Sequence, residues 1–309
     1  GSVMAKAYIH GFQGDNDLSK NTNIMACVKH FALYGASEAG RDYNTVDMSR
    51  QRAFNEYMMP YKAACDAGAG SFMASFNEFE GIPAHCNDYL MNDVLRKQWG
   101  FDGFITTDYT GIMETTQHGI GNEQTATARA LKAGIDMDMM SEYYIKYLKQ
   151  ALADGSVSED DLNTACRRIL EAKYKLGLFE DPYKYCDPKR AAKILGADEH
   201  VHQARKIAQE CQVLLKNDNN LLPLKKDSKI AVIGPMANNS WDMLGSWSGS
   251  SQKVKAVSLY EGLKEAMGNQ GSISWAEGSW LVDDKLLEWK LCNNFGGALG
   301  EGHKMEVHT

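Results

Sequence analysis

The sequence predicts an α/β protein in which short apolar strands alternate with amphipathic helices. Residues 99–114 read WGFDGFITTDYTGIME, where the apolar run Phe104–Thr106 follows turn-forming glycines and leads to an acid, Asp108. A helical pattern precedes this run at 88–98, and a second helix is predicted after Gly121. Other short apolar runs along the chain are also followed by polar residues and a helical pattern. Strands that alternate with helices are typical of parallel α/β sheets.

The first predicted elements are a helix at 3–9, a polar loop at 11–23 and a strand at 24–28. This strand delivers Lys29 and His30 at its carboxyl end. A lysine ammonium group and an imidazole ring can both bind hydroxyl groups, so the pair suits a polyhydroxylated ligand. From spacing alone, a solvated lysine beside a core histidine is the commoner arrangement.

The next predicted helix spans 50–66 and has Ser49 as its N-cap, because apolar side chains follow Ser49 at helical spacing. Glycines end this helix, and a strand follows at 71–76. After the central stretch, the pattern predicts a helix at 123–132 and a short strand at 134–137.

A change of domain is predicted in the second half of the chain. A capping-box pattern at Ser158 begins a helix that runs to Gly177. Two Asp-Pro pairs then punctuate a polar connection at 181–198, which is typical of a linker. Beyond it, KIAVIG at 229–234 is nearly all apolar and predicts a buried strand.

The composition argues against several classes of function. The chain has 309 residues and a formal net charge of −7, so it offers no basic surface for nucleic acid. No apolar run approaches the roughly 18 residues of a membrane span, and residues 1–10 contain no signal-peptide pattern. The 7 cysteines occur singly, without CxxC or HExxH motifs, which argues against a disulfide framework, a zinc site or a metal hydrolase. Most of them lie in apolar segments and are predicted to be buried thiols.

Asp108 is the main candidate for a chemical role. Active sites of α/β folds lie at the carboxyl ends of the strands, so an acid at this place is held by backbone and faces the cleft. The alternative is that Asp108 caps the following helix or ties down a loop. The strand alone supports the two interpretations equally.

Five segments together resemble glycoside hydrolase family 3, and within it the branch of periplasmic β-glucosidases. GFDGFITTDY at 100–109 is similar to the segment that carries the nucleophile of the family. The other segments agree with the family in order and spacing: KHFALYG at 29–35, RDYNTVDMS at 41–49, FMASFNEFEGIPA at 72–84 and CQVLLKNDNNLLPL at 211–224. The resemblance extends from about Val3 to Asp284.

The resemblance implies a fold of two parts. Residues 1–180 would be the carboxyl-terminal part of a (β/α)8 barrel of the TIM type, 181–198 a linker, and 199–309 the first part of an α/β sandwich with an atypical tail from about 285. The convincing strands before Gly177 are fewer than the about eight of a complete barrel. The chain is therefore interpreted as an internal fragment, whose unpaired strand edges predict a homo-oligomer.

The resemblance also implies the chemistry, retaining hydrolysis of β-glucosides through a nucleophilic carboxylate and a second carboxyl group that acts as acid and base. It assigns the nucleophile to Asp108 and the acid/base to Glu114, although other branches take the acid/base from the second domain. Phenylalanine replaces the usual tyrosine at 76, so a hydroxyl contact is lost there. No cofactor or metal is implied. The residues around the sugar would be Lys29, His30, Met73, Phe76 and Tyr109.

The predicted substrate is a β-glucoside or a short β-linked gluco-oligosaccharide, and the predicted location is the periplasm or the exterior of a bacterium. β-Xylosidase and β-N-acetylglucosaminidase are alternatives within the family. The latter uses a histidine in a barrel loop, and the loop after the Lys29-His30 strand, 36–47, contains none. The remaining alternative is an inactive or non-catalytic piece of such an enzyme, carbohydrate-binding or structural.

Overall fold

The computed structural model describes residues 1–245, 248 and 256–278, together with two short strands at 287–288 and 306–307. Its contacts divide the chain into two compact units, Gly1–Ala197 and Asp198–Thr309. Both units combine helices with strands, which confirms the predicted α/β class. Apart from the two short strands, the tail predicted from about 285 lies outside the described residues.

The first unit contains six strands, eight numbered helices and two π-helical segments among its main elements. In chain order they are α1 (Ser2–Gln13), β1 (Cys27–Phe31), β2 (Thr45–Val46), α2 (Arg50–Arg52), a π-helical segment (Ala53–Met58), α3 (Met59–Asp66), β3 (Ser71–Ala74), β4 (Glu78–Phe79), β5 (Ile82–Pro83), a second π-helical segment (Tyr89–Gln98), β6 (Phe104–Thr106), α4 (Gly111–Thr115), α5 (Glu123–Lys132), α6 (Tyr143–Ala153), α7 (Glu159–Lys175) and α8 (Pro188–Ile194).

A parallel sheet with the strand order β1-β3-β6 positions the candidate site. Phe72 of β3 lies opposite Ile105 of β6, and Thr106 forms a further parallel bridge with Met137. Because parallel strands run in one direction, their carboxyl ends lie along one edge of the sheet. Asp108 follows the end of β6 at this edge.

Two predicted strands differ from the observed ones. β1 begins at Cys27 rather than at Ile24, so Lys29 and His30 lie inside the strand instead of after it. Ile24 is 62% exposed, and its amide donates to the carbonyl of Phe12 in the first helix. The limits of β1 are thus set by its pairing with β3 and not by the extent of the apolar run. The strand predicted at 134–137 is reduced to the single bridge with β6.

Both predicted N-caps are present. The hydroxyl of Ser49 accepts the amide of Arg52 at 3.2 Å, although the helical stretch 50–66 includes a π-helical segment in its middle. At the start of α7, the Ser158 hydroxyl accepts the amide of Asp161, whose carboxylate accepts the Ser158 amide at 2.8 Å. These reciprocal bonds satisfy amides that would otherwise lack a partner in the first turn.

Aromatic and aliphatic side chains fill the space between the sheet and its helices. The rings of Phe31 and Phe72 meet edge to face, with 5.5 Å between their centroids, and both are fully buried. Leu90 and Leu95 of the second π-helical segment are also fully buried in this core. Burial of each such side chain contributes about 1.5–3 kcal/mol. The core therefore gives the edge that carries Asp108 a rigid support.

A buried ion network connects β6 with two helical segments. Asp136 accepts Nη2 of Arg96 at 2.6 Å and the backbone amide of Ile105 at 2.8 Å through Oδ2. Its Oδ1 accepts Nη1 of Arg168 at 2.9 Å. Burial raises the pKa of Asp136 and lowers the pKa of Arg96 to about 10, because a dry environment disfavours both charges. Their mutual attraction opposes each of these shifts.

The second unit has its own helices and strands. A buried strand was expected at 229–234. A strand, β7 (Lys229–Ile233), is present there, but only Val232 in it is buried. The burial was predicted wrongly because, in the described part of the unit, β7 pairs only with β8 (Ser272–Ala276). Its elements are α9 (Asp198–Glu210), β7 (Lys229–Ile233), α10 (Leu259–Met267), β8 (Ser272–Ala276), β9 (Leu287–Glu288) and β10 (Glu306–Val307).

The cysteines differ in exposure. The described cysteines are unpaired, and Cys86 is buried, but the prediction of buried thiols is wrong for several others. Cys166 is exposed although its neighbour Ala165 on α7 is buried, because adjacent helical residues face different directions. The exposed cysteines are Cys27, Cys166, Cys186 and Cys211.

Within the described ranges, no helix combines the length and hydropathy needed to cross a bilayer.

Candidate active site

Asp108 lies just beyond β6 and faces His30 at the edge of the sheet. Its Oδ1 accepts the amide of Tyr109 at 2.7 Å, and its Oδ2 lies 3.3 Å from Nε2 of His30. The Asp108 side chain is 17% exposed, so it is partly desolvated yet accessible. A carboxylate that is oriented by a backbone amide and lies beside an imidazole ring can act as a nucleophile.

The turn that carries Asp108 is held by a complete set of backbone hydrogen bonds. Every amide from Thr107 to Gly111 has an acceptor, and two of them donate to carbonyls in the segment 137–139. The amide of Asp108 itself donates to Nε2 of His85 at 3.1 Å. The position of the Asp108 main chain is therefore set by the segment 137–139 and by His85.

Lys29 and His30 lie on β1, and His30 is next to Asp108. The carbonyl of His30 accepts the hydroxyl of Tyr61 at 2.6 Å, which fixes the strand at this point. Burial lowers the pKa of His30, the carboxylate of Asp108 opposes this shift, and the charge of Lys29 adds to it. Lys29 itself is exposed. The structure thus brings His30 to Asp108 and leaves the Lys29 ammonium group accessible to a ligand.

Glu114 lies on α4, in the loop-to-helix segment that also carries Asp108. Its Oε1 accepts the hydroxyl of Thr110 at 2.7 Å. Burial raises the pKa of Tyr43 to about 12, and the charges of Glu114, Asp42 and Asp108 contribute in the same direction. The Tyr43 phenol therefore lies within electrostatic reach of both predicted catalytic carboxylates.

Phe76 is the centre of an aromatic cluster beside these carboxylates. Its ring centroid lies 4.6 Å from that of Tyr43, 6.2 Å from that of Tyr34 and 5.6 Å from that of His85. The hydroxyl of Tyr34 donates to the carboxylate of Asp42, which fixes the loop that carries both tyrosines. Sequence reasoning did not single out Tyr34 and Tyr43, although both lie in segments that resemble the family, 29–35 and 41–49.

Met73 and Tyr109 complete the set of predicted site residues, and they differ in exposure. Met73 is 9% exposed in β3 and lies in register with Thr106. The Tyr109 side chain, adjacent to Asp108, is 57% exposed. Met73 therefore packs within the sheet at the level of the site, whereas the Tyr109 ring is accessible from solvent.

A histidine–carboxylate pair that the sequence did not indicate lies near the site. Nδ1 of His118 is 2.7 Å from Oε1 of Glu78, and Oε2 of Glu78 accepts the hydroxyl of Thr45 at 2.8 Å. Both side chains of the pair are 20% exposed. Elsewhere in the part of the chain that the structure describes, no cluster of three or more potential metal ligands occurs. The pair connects β2 and β4 with the turn after α4.

Comparisons with known proteins agree with the resemblance seen in the motifs. The family model described as glycosyl hydrolase family 3 N terminal domain matches residues 1–172. The model described as glycosyl hydrolase family 3 C-terminal domain matches residues 212–297. Together they extend over both compact units of the chain.

Similar proteins of known identity include glucosidases and xylosidases. The periplasmic beta-glucosidase of Salmonella typhimurium is 42% identical over 92% of this chain and 38% of its own length. A beta-xylosidase of Formosa agariphila is 36% identical over 90% of this chain and 40% of its own length. The chain thus spans about two fifths of the length of these relatives.

The chain is also similar to solved structures of β-glucosidases. The crystal structure of beta-glucosidase from Listeria innocua in complex with gluconolactone superimposes with a TM-score of 0.83 and 40% identity, over 91% of this chain and 39% of that one. The resemblance derived from the five motifs is thereby confirmed. The chain belongs to glycosyl hydrolase family 3.

Proposed function

We propose that the chain carries the nucleophile of a retaining β-glucosidase, which hydrolyses β-glucosides or short β-linked gluco-oligosaccharides. The observation that carries the proposal is the Asp108 carboxylate, which is held by the Tyr109 amide and the His30 ring at the end of β6. The relatives named as β-glucosidases support the substrate class.

The reaction would proceed in two displacements at the anomeric carbon. Asp108 attacks this carbon while Glu114 gives a proton to the departing glycosidic oxygen, so a glycosyl-aspartate ester forms and the C–O bond to the leaving group breaks. Glu114 then takes a proton from water, and the resulting hydroxide attacks the same carbon and releases Asp108. The Thr110 hydroxyl donates to Oε1 of Glu114 and so orients the carboxyl group for these proton transfers.

The sugar would bind in the space around Asp108. The exposed Lys29 ammonium and the His30 ring would contact hydroxyl groups, the aromatic faces of Phe76 and Tyr109 would pack on apolar sugar faces, and Met73 would support the site from within β3. No cofactor takes part in this scheme. Phe76 supplies an apolar wall without a hydroxyl group.

The architecture proposed for this function is a partial barrel and a second domain. The parallel sheet β1-β3-β6 with its helices supports the assignment of 1–180 to a (β/α)8 barrel, and 199–309 would be the first part of an α/β sandwich. The connection 181–198 contains α8. The name of the Salmonella relative supports a periplasmic location. A homo-oligomer remains a prediction, which size-exclusion chromatography tests.

A β-xylosidase is the second candidate, because the Formosa relative carries that name. Xylose lacks the hydroxymethyl group of glucose, so the two activities differ in the space that the site leaves at that position. Comparing glucoside and xyloside probes of the same design separates them.

Intact-protein mass spectrometry after incubation with an activated 2-deoxy-2-fluoro-β-glucoside tests the proposal. The fluorine slows the second displacement, so an adduct of one fluoroglucosyl group should accumulate on the parent chain and be absent from Asp108→Asn. Asp102→Asn is the matched control, because the Asp102 side chain is 85% exposed in the preceding turn. This control should react like the parent.

Two results would contradict the proposal. An adduct that persists in Asp108→Asn would exclude Asp108 as the nucleophile. A folded parent chain without any adduct would favour the alternative of a non-catalytic piece, and an adduct only with the corresponding xyloside would favour the β-xylosidase.

A further inference from the structure

We infer that His85 is a positioning residue for Asp108: its Nε2 accepts the backbone amide hydrogen of Asp108, and its ring fixes the turn that carries the attacking carboxylate. The inference rests on the proposed role of Asp108. His85 lies in the short helical turn Ala84–Cys86, 23 residues before its partner in sequence.

Packing holds the imidazole ring of His85 in one place. His85 is 1% exposed, and the centroid of its ring lies 5.6 Å from the centroid of the Phe76 ring. On another side the ring meets Gly111, where a Cβ atom would lie 2.2 Å from Nε2. Any other residue at 111 would collide with the ring, so this glycine is required by close approach.

The hydrogen bond also defines the protonation state of the ring. A neutral imidazole has one donor and one acceptor nitrogen, so acceptance at Nε2 places the ring hydrogen on Nδ1. Burial lowers the pKa of His85 to about 3, and the charge of His118 acts in the same direction. The acceptor therefore stays available over the pH range in which a carboxylate nucleophile is ionised.

The consequence concerns the covalent step rather than sugar binding. A buried ring cannot contact the sugar, but without its acceptor the Asp108 amide loses its partner and the turn relaxes. A displacement of a reacting group by about 1 Å can slow a reaction about a hundredfold. Removal of the acceptor should thus lower the rate of glycosylation at an unchanged affinity for the sugar.

Nuclear magnetic resonance of the full chain with ¹⁵N-labelled histidine tests the hydrogen bond independently of any activity. His85 should be neutral near pH 7, with an unprotonated Nε2 that correlates with the Asp108 amide across the hydrogen bond. His85→Gln identifies the signals by their loss. A hydrogen on Nε2 of His85 would overturn the inference.

Covalent labelling by the 2-deoxy-2-fluoro-β-glucoside tests the effect on chemistry. His85→Leu has a similar volume but no acceptor, and its limiting labelling rate should fall about a hundredfold while the half-saturating probe concentration stays unchanged. His85→Gln can place an amide oxygen near the former Nε2 and should recover most of that rate. His10→Leu, at an exposed histidine of α1, should label like the parent.

The outcomes separate this inference from the proposed function. A folded His85→Leu variant that labels at the parental rate would overturn the positioning role. If His85→Leu does not fold, the labelling rate of His85→Gln and the tautomer of His85 in the parent chain test the positioning role. A parent that is never labelled counts against the proposed function, and the tautomer then tests the hydrogen bond alone.

Discussion

Replacement of Asp136 by asparagine removes the charge at the centre of the buried ion network but keeps the shape of the side chain. Arg96, whose side chain is 8% exposed, would lose the carboxylate that now lies 2.6 Å from its Nη2. Its charge would stay buried without a counter-charge, with only the carbonyls of Gly103 and Gly134 as acceptors, which costs about 3–5 kcal/mol of unfolding free energy. Arg168 is 24% exposed and can turn toward water, so its loss of a partner adds less.

Equilibrium unfolding in urea, followed by tryptophan fluorescence, measures this loss. The matched control is Glu56→Gln, which removes the ion pair of Arg52 and Glu56 on the helix surface, where the side chains are 54% and 52% exposed. That change should lower the unfolding free energy by no more than about 0.5 kcal/mol. A loss below about 1 kcal/mol in Asp136→Asn would refute the reasoning, because Arg96 would then have found another partner or water.

Three further predictions follow from single contacts. Gly111→Ala places a methyl group against the ring of His85 and should lower the unfolding free energy by about 1–3 kcal/mol, and an unchanged thermal midpoint would show that the ring can move away. Ser158→Ala removes the capping box of α7 and should cost about 1 kcal/mol in urea unfolding, whereas Ser158→Thr should cost less. The third concerns pH. The pKa of His85 is about 3 in the folded chain against 6.5 as the ordinary value, so stability should be highest above pH 6.5 and fall as the pH drops toward 3, because the unfolded chain binds the proton first. Between about pH 7.5 and 5 this amounts to about 2 kcal/mol, and an equal decrease in His85→Gln would contradict the assignment to His85.

Elements with a local signal could be predicted from the sequence. β6 was predicted because its apolar residues follow turn-forming glycines, and the N-caps at Ser49 and Ser158 because capping depends on residues within one turn. The limits of β1 were predicted wrongly, since Ile24 belongs to the apolar run but is exposed and hydrogen-bonds through its amide to α1 rather than to the sheet. Where residues distant in sequence determine the limits of an element, the pattern of a single segment is insufficient to predict those limits.

The same distinction applies to the site. Asp108 could be singled out because it ends a strand, and the family motifs assigned roles to the residues around it. His85 carried no such signal, because its partner lies 23 residues away. Nothing in the sequence distinguishes a buried histidine from an exposed one. The pair of Glu78 and His118, 40 residues apart, was missed for the same reason.

Glu78 uses its two carboxylate oxygens for two different segments, one for Thr45 before the helical stretch 50–66 and one for His118 after α4. Neither segment can move far from β4 without breaking a bond to this one side chain. Glu78 thereby connects the loop that carries Tyr43 with the turn that follows the helix of Glu114.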